Sequence, residues 1–257
     1  SYRKIRNTFR FILGNLQDNF EKQDFEKINL KSFSELERYI LGRLFYLDKA
    51  IEGNLKSYNF HRLYKELLNF CSLELSSFYF DIRKDILYCD DLDSKKRKDC
   101  IVVLNIILEC LLKWLAPVFV FTTEEIFNLI NKDEQSIHET EFPKIPIEWE
   151  DRSLGEKWKD LFRIRQEVNI SIEEKRTNKE IGSSLEANVS IHVNKKEFKL
   201  LDGLDLEEYF IASKVEKIEN KNEDKIKIEV KKSVGTKCTL CWKILDKKCA
   251  RKYCGIN

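Results

Sequence analysis

Residues 101–121 read "IVVLNIILECLLKWLAPVFVF". The stretch is long enough to cross a bilayer, so its reading decides the fold class. Polar residues argue against a span: Asn105, Glu109 and Lys113 interrupt the run, and Pro117 ends it. A helix apolar nearly all round and flanked by charged segments reads as the centre of a helical bundle. Ser94 is placed to start it, and Pro117 sets its end.

The neighbouring sequence supplies helices to surround it. Ile5, Phe9, Ile12 and Leu16 form one stripe over residues 2–16. After the charged connector "QDNFEKQDFEKINLK", "SFSE" (Ser32 to Glu35) has capping-box form and opens a helix carrying Leu36, Ile40, Leu44, Leu47, Ile51 and Leu55. Asn59 is the expected N-cap of a third helix, with Leu63, Leu67, Phe70 and Leu75 inward. "FYFDIRKDILYCDDLD" reads as an aspartate-rich connector, and "TTEE" (Thr122 to Glu125) as a second capping box leading a short helix. Together these predict a mainly α protein, an antiparallel up-down bundle of four or five helices over residues 1–130.

The pattern then changes. Residues 131–152, "NKDEQSIHETEFPKIPIEWEDR", hold two of the three prolines and no helical period, so they read as a linker over the bundle. Residues 153–232 read as a small α+β module. A helix from about Leu154 to Arg176 carries Leu154, Trp158, Leu161, Ile164, Val168 and Ile172 inward. "LEANVSIHV" alternates as a strand, with Ala187, Val189, Ile191 and Val193 on one face. "KVEKIE" and "KIKIEV" are further strands, separated by a turn at "NKNED".

Residues 233–257 form a cysteine-rich tail. Cys238-x-x-Cys241 has the spacing at which two thiolates share one tetrahedral zinc, and Cys249 and Cys254 supply two more sulfurs. A redox CxxC would need a thioredoxin-like strand and helix around it, and the tail lacks the apolar content for either. One structural zinc is therefore expected at Cys238, Cys241, Cys249 and Cys254, with a basic tail of incidental thiols as the alternative. The other cysteines, Cys71, Cys89, Cys100 and Cys110, lie in apolar surroundings and read as small core hydrophobes of a protein kept reduced. No secretory signal is evident, so a cytoplasmic location with no membrane association is expected.

The net charge of the whole chain is only +2, so any nucleic-acid footprint must be local. Residues 231–257 hold eight Lys/Arg against one Asp. This basic patch suits phosphate, and Trp242, if exposed, suits stacking on an unpaired base, with packing on the zinc loop as its alternative. Arg3, Arg6 and Arg10 share a helix face, with Asn7 between them. Their alternative is an ordinary solvated face. No catalytic constellation stands out. His61, His138 and His192 are scattered, and "DDLD" (Asp90 to Asp93) reads as a polar turn.

The ordered blocks "YRKIRNTFRFILGNL", "YNFHRLYKELLNFCSLELSSFYFDIRKD", "LAPVFVFTTEEI", "FRIRQEVNISIE", "KEIGSSLEANV" and "KCTLCWK" resemble the C-terminal part of bacterial-type isoleucyl-tRNA synthetases. The first three also resemble the helical bundle shared with the valine, leucine and methionine enzymes. The resemblance implies a class I isoleucine–tRNA ligase whose catalytic and editing domains, and hence its ATP site, lie outside this segment. There is no H-x-G-H stretch, and a K-M-S-K-S loop is impossible without methionine. A fragment inactive by itself is expected, monomeric and binding isoleucine tRNA. The resemblance puts Arg6, Asn7 and Arg10 toward tRNA and brings Trp242 and Lys243 near the anticodon. A related synthetase, a stand-alone tRNA-binding protein, or a helical scaffold docking another protein through its tail are the alternatives. One departure stands out: the family's second CxxC is here "CARKYC" after a short spacer, which leaves a three-cysteine site or a degenerate tail as alternatives.

Overall fold

The computed structural model describes residues 1–17, 20–131, 135–220, 225–249 and 251. It divides into two compact units, Ser1–Leu87 with Leu92–Asp151, and Tyr88–Asp91 with Arg152–Asn257.

The first unit is helical. Its helices are α1 (Tyr2–Leu16), α2 (Glu35–Lys56), α3 (Phe60–Asn69), α4 (Phe80–Cys89, whose last two residues group with the second unit), α5 (Lys95–Leu115) and α6 (Val120–Ile130). The run that opened the sequence reading is buried as expected. Val103, Leu104, Ile106, Ile107, Leu108, Leu111, Leu112, Trp114 and Leu115 of α5 are essentially inaccessible. Ser94 caps it, its hydroxyl accepting from the Arg97 N–H. Among the described residues, no helix is long and apolar enough to cross a membrane. The α1 stripe is buried at all four expected positions, and the Asn59 side chain caps α3 by accepting from the Arg62 N–H.

Three local expectations change. The cap of α2 is Ser34, two residues beyond Ser32. Its hydroxyl bonds the Glu37 carboxylate rather than the backbone of the first turn. The segment read as a connector, residues 78–93, is mostly helix: the third helix continues as π-helix over Phe70–Tyr79 and runs directly into α4. The hydroxyl of Ser77 reaches the Ser72 carbonyl at 2.9 Å, a five-residue step. Phe80, Ile82, Ile86 and Leu87 are buried there, and Arg83 among them is neutralised by Glu37. Finally, α6 begins at Val120 rather than at "TTEE". Thr123 is buried inside it, its hydroxyl donating to the Phe119 carbonyl at 3.0 Å.

One buried ion pair organises this unit. Arg83 Nε donates to Glu37 Oε1 at 2.6 Å and Nη2 donates to Oε2 at 2.7 Å. The Ser34 hydroxyl accepts from Arg83 at 2.9 Å, and the Tyr79 hydroxyl reaches Glu37 at 3.4 Å. Burial pushes the Glu37 carboxyl up. The charge and hydrogen bonds of Arg83, with the Ser34 hydroxyl, outweigh it and leave the pKa below its ordinary value. Residues 135–151 belong to the same unit, with Ile137, Ile145 and Trp149 buried and Trp149 packed 5.5 Å from Phe25.

The second unit is built on α7 (Arg152–Thr177), whose Leu154, Trp158, Leu161, Ile164, Val168 and Ile172 are buried as the period predicts. It packs on a three-stranded sheet of β1 (Ala187–Val193), β2 (Lys214–Glu219) and β3 (Lys227–Lys232) in the order β2-β1-β3. β1 is central, parallel to β2 with Val189 opposite Val215, and antiparallel to β3 with Val189 opposite Val230. Its Ala187, Val189, Ile191 and Val193 are inaccessible, as strict alternation requires. Short helices α8 (Lys195–Leu200) and α9 (Leu206–Tyr209) join β1 to β2. This is the crossover that a parallel pair needs. Residues 221–224 of the expected "NKNED" turn lie outside the described residues.

A two-stranded ribbon, β4 (Thr236–Lys237) and β5 (Ile244–Leu245), closes the described tail. Gly235 permits it. Its φ is +143°, and a Cβ there would sit 2.5 Å from the Leu245 carbonyl oxygen. Gly235→Ala is therefore expected to open the ribbon while the helical unit keeps its melting temperature. Limited proteolysis cutting after residues 235–245 in the variant alone would verify this.

Candidate functional site

The β4–β5 ribbon brings the tail cysteines together. Cys238 follows β4, and the Cys238 N–H donates to the Lys243 carbonyl at 2.9 Å. The Trp242 N–H returns to the Cys238 carbonyl at 3.0 Å. Closing so tight a turn forces Trp242 to φ 60°, a left-handed conformation uncommon for a bulky residue. The two thiols of the CxxC are thereby held on one side of the loop.

The sulfurs of Cys238, Cys241 and Cys249 all lie within 4.8 Å of one another, and those of Cys241 and Cys249 are 4.0 Å apart. A zinc tetrahedron with bonds of about 2.3 Å has sulfur–sulfur edges of about 3.8 Å. The three thiols thus have the separation one zinc needs. Burial, helped by the adjacent Cys238 and Cys249 sulfurs, pushes the Cys241 thiol up to about 11. Three crowded thiolates need a dication to coexist, which is what a soft metal supplies. Among the described residues this is the one group of three or more metal-ligating side chains so arranged. Cys254 lies outside the described residues. Cys71 and Cys110 are buried, and burial pushes the Cys71 thiol up to about 12, in keeping with packing rather than reactivity.

Two residues that the sequence did not flag dock the ribbon onto the sheet unit. The Ser213 hydroxyl donates to the Leu185 carbonyl and accepts from the Ile244 N–H at 2.6 Å. Glu186 accepts from the Gly182 N–H at 2.9 Å and pairs with Lys237 at 3.5 Å. "IGSSLEA" thus shapes the loop that receives the ribbon. Only the register of this loop against residues far along the chain reveals the role.

The candidate RNA-contacting residues occur on both units. Arg3, Arg6, Asn7 and Arg10 are all exposed on α1, opposite its buried stripe. Among the described residues, Arg3, Lys4, Arg6 and Arg10 have no carboxylate within 4.0 Å, whereas Arg43, Arg62 and Arg83 of the same unit are paired. In the ribbon, Trp242 is 60% exposed and Lys243 is half-buried. The ring of Trp242 is therefore presented to solvent instead of being packed under the loop.

The chain is similar to known proteins over nearly its whole length. Residues 37–191 match the model of the anticodon-binding domain of tRNA ligase. Over 251 residues, 98% of this chain, it is 55% identical to an isoleucine–tRNA ligase of Pelagibacter ubique. Isoleucine–tRNA ligases of Agrobacterium fabrum and Brachyspira hyodysenteriae are 37% and 40% identical over 95% and 94% of the chain. The chain spans 28%, 26% and 27% of the lengths of these three relatives.

Proposed function

The chain belongs to the tRNA-ligase family that carries this anticodon-binding domain, and from that premise we propose that it holds the anticodon stem-loop of an isoleucine tRNA. The observation that carries the reading is the α1 strip, three exposed arginines left without carboxylate partners among the described residues. Such a strip is suited to phosphate oxygens, which fix the register of a nucleic acid without reading its sequence. Identity would come from splayed anticodon bases, stacked on Trp242 and hydrogen-bonded by Asn7 and Lys243. Activation of isoleucine with ATP and the ligation itself would belong to the rest of a full ligase. This segment alone would be an inactive, monomeric, cytoplasmic binding module.

The zinc centre has a supporting part in this reading. Cys238, Cys241 and Cys249 would hold the ion, which would lock the ribbon and thereby fix the Trp242 ring. The chain's own contribution is the left-handed turn that turns the ring outward.

Two tests separate the contributions. Arg6→Gln and Arg10→Gln are each expected to lower the salt slope of tRNA binding by roughly 0.7 to 0.9. An unchanged slope in both variants would remove α1 from the interface. Trp242→Gly deletes the ring while keeping a backbone that glycine adopts without strain. Loss of one stacked base, worth about 1–3 kcal/mol, should weaken binding roughly 5- to 150-fold at unchanged metal content. Equal affinity would mean that the ring does not stack.

A further inference from the structure

A cavity of about 570 Å³ lies in the helical unit between α2, the end of α5 and residues 141–145. Its volume is in the range of small-molecule sites. None of the residues assigned above to tRNA or zinc lines it. Ile51, Leu55, Trp114, Phe142, Pro143 and Ile145 form its apolar walls. Asp48 stands among them with 15% of its side chain exposed. Among the described residues, one cation pairs with it: the Lys49 amine, at 3.8 Å, beyond hydrogen-bond reach. That amine is shared, lying 3.8 Å from Glu52 and 5.6 Å from the centre of the Phe45 ring. The other lysines of the rim are engaged elsewhere, Lys56 with Glu52 at 2.7 Å and Lys144 with Glu141 at 2.8 Å.

Asp48 is therefore a largely desolvated carboxylate without a close counter-charge. Burial pushes its pKa up, and Lys49 and the Trp114 indole N–H offset this only in part. The Trp114 N–H, fully buried, completes no hydrogen bond with the carboxylate or with any other described group. A cation placed at Asp48 would supply the pairing that the fold leaves incomplete, and the apolar walls would shield the pair from water. A hard metal ion suits the place poorly, since it needs several oxygen ligands where one carboxylate stands among hydrocarbon. A charge that carries its own hydrocarbon covers those walls as well. We propose that the cavity binds a small aliphatic ammonium, its charge paired with Asp48 and its hydrocarbon laid against Leu55, Trp114 and Phe142.

Isopentylamine titrated into the whole chain tests this, with the four tryptophan indole N–H signals followed by NMR. The Trp114 signal is the one missing in Trp114→Phe or, should that variant not fold, the one left after the same replacement at Trp149, Trp158 and Trp242. A saturable shift of the Trp114 signal is expected at millimolar amine or below, with those of Trp158 and Trp242 unmoved. Isopentanol, the same hydrocarbon with a neutral head, should bind roughly 10- to 150-fold more weakly, the usual loss for a hydrogen bond to a charged group. Asp48→Asn should weaken the amine by a similar factor and leave the alcohol unchanged. The assignment is overturned by no saturable shift at millimolar amine, by equal shifts of all four signals, or by undiminished amine binding in Asp48→Asn. Equal affinity for amine and alcohol in the unaltered chain overturns it too, and that comparison decides alone if Asp48→Asn does not fold.

Discussion

Arg83→Ala is expected to destabilise the helical unit by about 3–5 kcal/mol, the usual cost of leaving a buried charge without its partner. Arg83 and Glu37 are both almost fully inaccessible and meet in a two-pronged contact at 2.6 and 2.7 Å. Removing the guanidinium strands Glu37 between α2 and α4, with the Ser34 and Tyr79 hydroxyls and the Cys100 thiol near it. Glu37→Ala alone should cost a comparable amount. The double replacement Glu37→Leu with Arg83→Met should recover most of the loss, since well-packed apolar groups commonly match a buried pair. The pair also sets an acid limit. The Glu37 pKa is depressed in the fold, so its stabilising contribution is fully present above the unfolded carboxylate pKa. It is lost as pH falls through the lower, folded value. Urea melts at several pH values check both statements. A loss below about 1 kcal/mol in Arg83→Ala, the range of a surface pair, would contradict the account.

The second large effect concerns the metal. Removing zinc with a chelator should unfold the Thr236–Leu245 ribbon and leave the helical unit intact. Structural zinc contributes roughly 10–16 kcal/mol of apparent binding energy in small modules, far more than two two-residue strands provide. Among the described residues, Ser213 and Glu186 tie the ribbon to the sheet unit. Cys238→Ser or Cys241→Ser should reproduce the effect without chelator, and metal analysis should fall from about one zinc per chain toward none. Protease digestion and metal analysis on the same samples read both outcomes. A ribbon that stays protected after complete metal removal would refute the structural role.

Much of this architecture was legible because it is periodic and local. The stripes of α1 and α7 and the alternation of β1 each bury the side chains that their spacing selects. The expected bundle, small α+β module and cysteine cluster follow from such patterns. What escaped is non-local. "FDIRKD" looks too polar to pack until Arg83 finds Glu37, which lies two helices earlier. The start of α6 was hidden because Val120 and Phe121 continue the apolar run after Pro117. Cys238-x-x-Cys241 has a spacing that suits a metal and is visible in the sequence alone. Nothing near Cys89 in the sequence announces that it packs against Cys241. Ser213 and Glu186 are likewise meaningful only through their partners in the ribbon.

The most direct test of the tRNA-binding account compares two transcripts with the purified chain. One is isoleucine tRNA, and the other is the same molecule with its anticodon replaced. Affinities measured across a salt series separate phosphate contacts from base reading. The account predicts parallel salt slopes, with the native anticodon bound more tightly at every salt concentration. Equal affinity for the two transcripts throughout the series would contradict it.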